Sequence, residues 1–200
     1  DFGWRVELKR QDTALSWCSV VDRTLRVGCA RLCVGGIGGV GTLPEERRRG
    51  HARRVLQDAV ALMVEQHYDF SLLHGIQDFY GKFGYDTCMP EYELWMATRD
   101  AERAVSQART RRLRPEDLPR VIALYDRDNA LRVGSAVREV GRWQGFRVGT
   151  WWTVRALVEV VLDEAGRVAG YVSIDDTEEA CRASEVGGQG EAVYAAVLGV

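Results

Sequence analysis

From His51 onward the apolar residues Ala52, Val55, Leu56, Ala59, Val60 and Met63 recur at i, i+3, i+4, i+7, i+8 and i+11, while Arg53, Arg54, Gln57 and Asp58 take the opposite face. That period predicts a helix with one buried side. Before it, the run VGGIGGVGTLP reads as a strand ending at Pro44, and after it DFSLLH has the length of a buried strand. Strand, helix and strand in that order require a parallel pair joined by a right-handed crossover. The chain is therefore read as α/β. Glycines inside a strand weaken it and often mark a close approach by a ligand or another backbone.

The flanking segments add strands. RVELKR, a polar QDT turn and ALSWCSVV read as a hairpin, and ALVEVVLDEAGRVAGYVSID reads as a second one around its DEAG turn. Between them, Asp100 to Arg112 is charged and without turn signals, as expected of a linker or connecting helix, and RPEDLPRVIALY starts a helix with Leu118, Val121, Ile122 and Tyr125 on one face. The hairpins match in order and spacing: Val6–Leu8 with Val158–Val160, and Trp17–Asp22 with Gly170–Asp175. This implies a duplicated unit. A helix precedes the second hairpin and only five residues precede the first, so the first copy is expected to lack its opening helices and the chain to be a fragment. The expected division is a first lobe at 1–99, a linker at 100–111 and a truncated second lobe at 112–200.

Charge and composition exclude other classes. A formal net charge of −2, and the lack of aromatics among the arginines of RRRGHARR, argue against nucleic acid as partner. The longest apolar runs, such as Ala156–Leu162, are too short to span a bilayer, so no membrane role is expected. No leader opens the sequence, although it does not start with Met, and a cytoplasmic protein is expected. Cys18, Cys29, Cys33, Cys88 and Cys181 are odd in number and form no CxxC; Cys29 and Cys33 have no ligand pair in register. They are read as small core residues in a reducing compartment, with no metal.

Arg47-Arg48-Arg49-Gly50-His51-Ala52 lies at the strand-to-helix junction. The first turn of a helix leaves amides unpaired and carries partial positive charge, so a pyrophosphate can be held there by main-chain donors. Gly50 permits close approach, and arginines add charge-assisted bonds. Neither GK[ST] nor a GxGxxG at a first strand–helix junction is present. Alone, the run also fits a solvated basic turn.

With FYGKFGY at Phe79–Tyr85, however, the order strand, RxxGxA, amphipathic helix, strand, FYxKxGY resembles the GNAT acetyltransferase superfamily over Ala14 to Tyr92. GGIGGVGTLPEERRRG, LLHGIQDFYGKFGY and RPEDLPRVIALYDRDNALRVGS resemble, more particularly, the tandem-GNAT proteins of the enhanced intracellular survival type. The resemblance implies a GNAT fold, a mixed central sheet with helices on both faces, in two tandem lobes that are both incomplete here. It implies acetyl-CoA as cosubstrate and direct transfer of the acetyl group to an amine. Val40, Gly41 and Thr42 would pair with the pantetheine; Arg48, Arg49, Gly50, His51, Ala52 and Arg53 would wrap the pyrophosphate, with Arg47 bracing the loop. Tyr80 would be the general acid that protonates the departing thiolate. The second lobe, reaching EVGGQGEAVYAAVLGV where a loop is expected, has no RxxGxA and is read as non-catalytic.

No general base can be named. His51 lies in the loop, His74 ends an expected buried strand, and His67, Glu45 and Glu46 read as surface residues. In the resembled proteins the terminal carboxylate can serve; Val200 is not given that role. The acceptor is a small-molecule or peptide amine of unassigned identity, and a homo-oligomer is compatible with the sequence. The alternative is a non-catalytic acyl-CoA-binding or regulatory module on the same scaffold.

Overall fold

The computed structural model describes residues 3–76, 78–88, 92–104, 106–143, 145–151, 153–177 and 182–199. Cys181 and Val200 lie outside the described residues. The described residues form two four-stranded sheets and four helices, in two compact units. Unit 1 takes the chain up to Glu91 together with Arg132–Val137; unit 2 takes Tyr92–Leu131 and Arg138 onward.

In unit 1, β1 (Gly3–Arg10), β2 (Thr13–Val27) and β3 (Ala30–Thr42) form an antiparallel meander, with Gln11 at a φ of 51° in the first turn. Helix α1 (His51–Glu65) then crosses back to β4 (Phe70–Leu73), which pairs in parallel with Val34–Ile37 of β3. The sheet order is β1-β2-β3-β4. Val55, Leu56, Ala59 and Met63 of α1 are buried against Cys18, Val20 and Ile37, which is the stripe expected from the sequence. Helix and strand come close because Gly35 lacks a Cβ, which would collide with the Met63 sulfur. The segment Arg132–Val137 adds to β2: Gly134 N donates to Arg26 O at 2.7 Å and Val137 N to Thr24 O at 2.8 Å.

In unit 2, α2 (Thr98–Ala101) is one turn long, and β5 (Arg109–Arg112) opens a sheet of order β5-β6-β7-β8. Strand β5 begins inside the stretch read as a linker. Its four residues, RTRR, carry no apolar alternation, and its place is set by backbone pairing of Arg109–Arg112 with Leu162–Glu159. Helix α3 (Leu118–Asn129), hairpin β6 (Ala156–Leu162) and β7 (Val168–Asp175), strand β8 (Ala183–Gly188) and helix α4 (Glu191–Leu198) follow. Adjacent residues of β6 point to opposite faces: Val160 packs with Val121, Leu124 and Tyr125 of α3, and Val161 with Val193 and Ala196 of α4. Helices thus cover both faces of this sheet. The final apolar stretch, expected as a loop, is instead strand β8 followed by α4.

No helix of the described residues is long and apolar enough to cross a membrane. Of the four described cysteines, Cys18 alone fits the core reading; Cys29, Cys33 and Cys88 are exposed. Burial pushes the Cys18 thiol up to about 11.

Candidate active site

Pro44 follows β3 and begins a single 3-10 turn, Pro44–Glu46, whose last residue turns inward. Glu46 is 6% exposed, so the sequence-based placement at the surface is corrected. Its Oε1 accepts from Arg10 Nη1 at 3.0 Å, and its Oε2 accepts from Arg49 Nη1 at 3.0 Å and His51 Nε2 at 3.1 Å. The hydrogen bond from His51, and then that from Arg10, hold the carboxyl below its ordinary range. Three cationic or ring donors on one carboxylate fix the loop from β1 to the first residue of α1.

Above this anchor the backbone turns twice through the left-handed region, at Arg48 (φ 63°) and at Gly50 (φ 83°). A Cβ on Gly50 would meet nothing within 4 Å, so its φ alone favours glycine there. The first helical bond runs from Arg54 N to Gly50 O at 3.1 Å. Among the described residues, no hydrogen bond uses the amides of Arg48, Arg49, Gly50, His51, Ala52 or Arg53. No acidic residue stands in the first turn of α1 to compete with an anion.

The end of β3 is the second component. Strand β4 stops at Leu73 opposite Ile37, whereas β3 runs on to Thr42. From Gly38 onward the edge of β3 that faced β4 has no strand partner among the described residues. The other edge pairs with β2 through a bulge: Ser19 faces Gly38 and Trp17 faces Gly41, with Gly39 at a φ of 59° between them. The side chains here are structural. Val40 packs against the core, Thr42 Oγ1 lies 2.9 Å from Ser16 Oγ, and a Cβ on Gly41 would come within 2.6 Å of the Trp17 indole. The open backbone edge is what remains for a ligand.

Tyr80 is the third component. It is half-buried on the same core as Val40 and α1, with its ring edge-on to Phe79 at 4.9 Å and to Tyr85 at 6.2 Å. Gly75 makes room, since a Cβ there would touch the Tyr80 ring at 2.5 Å. The two tyrosines differ at their hydroxyls. Tyr85 Oη is 2.7 Å from Ser71 Oγ, which itself donates to Gly35 O at 2.8 Å. The Tyr80 hydroxyl has no hydrogen-bond partner among the described residues. Burial, and then the neighbouring Cys18, push its pKa up, so it holds its proton at neutral pH.

One core therefore brings together the loop, the free edge of β3 and Tyr80. Among the described residues it does not bring in a base. Glu46 is committed to three donors, Glu45 and His67 are exposed, and His74, expected at a buried strand end, lies exposed just past β4. No cluster of His, Cys, Asp or Glu able to hold a metal occurs among the described residues. Sequence reasoning missed Glu46 as the anchor; the signal was an acid preceding three arginines, three residues from Arg49 and five from His51.

The corresponding place in unit 2 is built differently. Two residues, Gln189 and Gly190, join β8 to α4, where eight residues, 43–50, join β3 to α1. Gly188 N donates to Asp128 Oδ2 at 2.7 Å and Gln189 Nε2 to Asp128 Oδ1 at 3.2 Å, so a carboxylate of the chain already sits at that junction.

Residues 4–88 match the family model described as the acetyltransferase (GNAT) domain. No curated relative matches by sequence. Among solved structures, the chain is similar to a probable N-acyltransferase from Enterococcus faecalis V583, with a TM-score of 0.72 at 16% identity over 98% of this chain and 51% of that one. It is similar to a GCN5-related N-acetyltransferase from Anabaena variabilis ATCC 29413, with a TM-score of 0.72 at 19% identity over 96% and 52%. It is also similar to Eis1 from Mycobacterium abscessus, with a TM-score of 0.59 at 18% identity over 100% and 54%. The chain spans about half the length of these proteins.

Proposed function

Taking a GNAT acetyltransferase domain over residues 4–88 as the premise, we propose that unit 1 is an N-acetyltransferase that uses acetyl-CoA and acts on a small-molecule or peptide amine. The observation that carries this reading is the row of unpaired amides from Arg48 to Arg53 at the start of α1, directly beyond a strand edge left open by β4. A diphosphate is held by such amides without a lysine, and an amide-bearing chain can add to a free strand edge. Arg48, Arg49, Gly50, His51, Ala52 and Arg53 would take the pyrophosphate, and the backbone of Val40, Gly41 and Thr42 the pantetheine.

The thioester supplies an activated acyl group and a thiolate leaving group. Tyr80 supplies the proton: its hydroxyl has no hydrogen-bond partner among the described residues, and its raised pKa keeps it protonated at neutral pH, so that a proton is at hand as the thiolate departs. A binding module without turnover is the second reading. It is favoured by Glu46, the buried acid beside the loop, being held by three donors and unable to act as a base.

The chain is read as two tandem GNAT-like lobes at 1–99 and 112–200 with 100–111 between; the compact units follow this division except that residues 92–99 group with unit 2 and Arg132–Val137 with unit 1. The order β1-β2-β3-α1 in one is matched by β6-β7-β8-α4 in the other. The short junction of unit 2 and the Asp128 carboxylate at it leave no place for a diphosphate. That unit is accordingly non-catalytic.

Titration calorimetry with acetyl-CoA on the wild type and Gly50→Asp tests the central claim. Aspartate would put a β-carbon at a φ of 83° and a negative charge beside the amides. Binding should be largely lost with folding retained; equal affinity in the two proteins removes the proposal.

A further inference from the structure

Unit 2 encloses a cation that neither strand–helix junction uses. The guanidinium carbon of Arg138 lies 3.7 Å from the Tyr125 ring centroid, 4.3 Å from Trp143 and 5.3 Å from Phe146. Its Nη1 and Nη2 donate to the two oxygens of Glu185 at 2.7 and 2.5 Å. The fully buried Tyr171 donates its hydroxyl to Glu185 Oε1 at 2.6 Å, so the carboxylate is oriented from its far side as well. Burial and then Glu185 push the Tyr171 hydroxyl up, which keeps it a donor. Only 12% of the Arg138 side chain remains exposed.

An arginine that merely neutralises a carboxylate needs no aromatic enclosure. Here three rings and a bidentate, pre-oriented carboxylate converge, which is the composition of a receptor for a free organic cation. The parts come from separate places: Tyr125 from α3, Tyr171 from β7, Glu185 from β8, and Trp143 and Phe146 from the segment between α3 and β6. A planar guanidinium can stack on rings while giving two parallel N–H bonds to one carboxylate; a compact ammonium cannot do both.

We propose that this cage is a guanidinium-binding site whose resident ligand is the chain's own Arg138, and that without that side chain it takes an alkylguanidinium, the head group of a peptide arginine. The inference is independent of the acetyltransferase reading.

Arg138→Ala removes the ligand and leaves the cage. Its thermal midpoint should fall by roughly 5 °C or more, the scale of losing a buried charge-assisted pair in a chain of this size. Millimolar ethylguanidinium should then restore part of the loss saturably, and ethylammonium at equal ionic strength should not. The wild type, with its site filled, and Arg138→Ala/Glu185→Gln, with its carboxylate gone, should show no saturable response. If Arg138→Ala refolds poorly, the same comparison is read as recovery of folded protein by near-ultraviolet circular dichroism. A response that never saturates, that appears equally in the wild type, or that ethylammonium reproduces overturns the proposal.

Discussion

At Tyr80 two roles separate on a single oxygen. Its ring packs edge-on against Phe79 and Tyr85 whether or not the hydroxyl is present. Tyr80→Phe should therefore preserve folding and acetyl-CoA affinity while turnover falls by about 10²-fold, the scale of removing a general acid. Equal turnover in an active full-length enzyme would leave Tyr80 a packing residue. Glu46 carries a second prediction. Its carboxyl is held below the ordinary value of 4.5, so the stability it lends the loop is present above that value and lost as pH falls through the lower folded value. Acetyl-CoA affinity of the wild type should weaken with acid and approach that of Glu46→Gln, which should be weaker at neutral pH and flatter across the titration. A parallel pH dependence in the two proteins would exclude Glu46 as the anchor. The arginine motif was legible in the sequence because its spacing and its place before an amphipathic helix are one-dimensional signals. The burial of Glu46 was not, since an acid between a proline and three arginines has the composition of a solvated turn. Nor could FYGKFGY tell which tyrosine hydroxyl is engaged, because that depends on Ser71, fourteen residues from Tyr85.

Among the elements, α1 and both hairpins were readable because each buries one face at its own period. Strand β5 escaped because four residues, RTRR, have no period at all. Helix α4 escaped because EAVYAAVL is apolar on nearly every side, leaves no one-faced period, and follows the glycines of a stretch expected as a loop. The glycines of β3 read in sequence as sites of close approach, and two of them are: Gly35 admits Met63 and Gly41 admits Trp17. Gly41→Ala should thus act through packing. The rigid indole must move to accommodate the methyl, which should cost about 1–3 kcal/mol of stability, the usual range for overpacking. Chemical denaturation measures this, and a change smaller than about 0.5 kcal/mol would show that the indole yields freely.

Over the whole molecule, the asymmetry between the two junctions sets a stoichiometry. Acetyl-CoA should bind once per chain, and hydrogen exchange should slow in β3, the start of α1 and the segment around Tyr80, with no slowing in β8 or α4. Two equivalents in calorimetry, or protection at Gly188–Val193, would contradict the assignment of unit 2 as non-binding. The division into two compact units was partly visible as a repeated hairpin, but the return of Arg132–Val137 to β2 was not, because those pairings are backbone bonds that leave no letter pattern. The junctions themselves carry a genetic consequence. Eight residues join strand to helix in unit 1 and two in unit 2, a difference of six that touches neither strand nor helix. A single in-frame deletion of six codons within 43–50 would remove Glu46, the anchor, together with the Arg48 end of the amide cradle, and leave β3 and α1 their own residues. In a duplicated gene, one copy of such a unit can thus lose its ligand in one event, and reversing it would take a transplant of residues 43–53 together with removal of the Asp128 carboxylate from the junction.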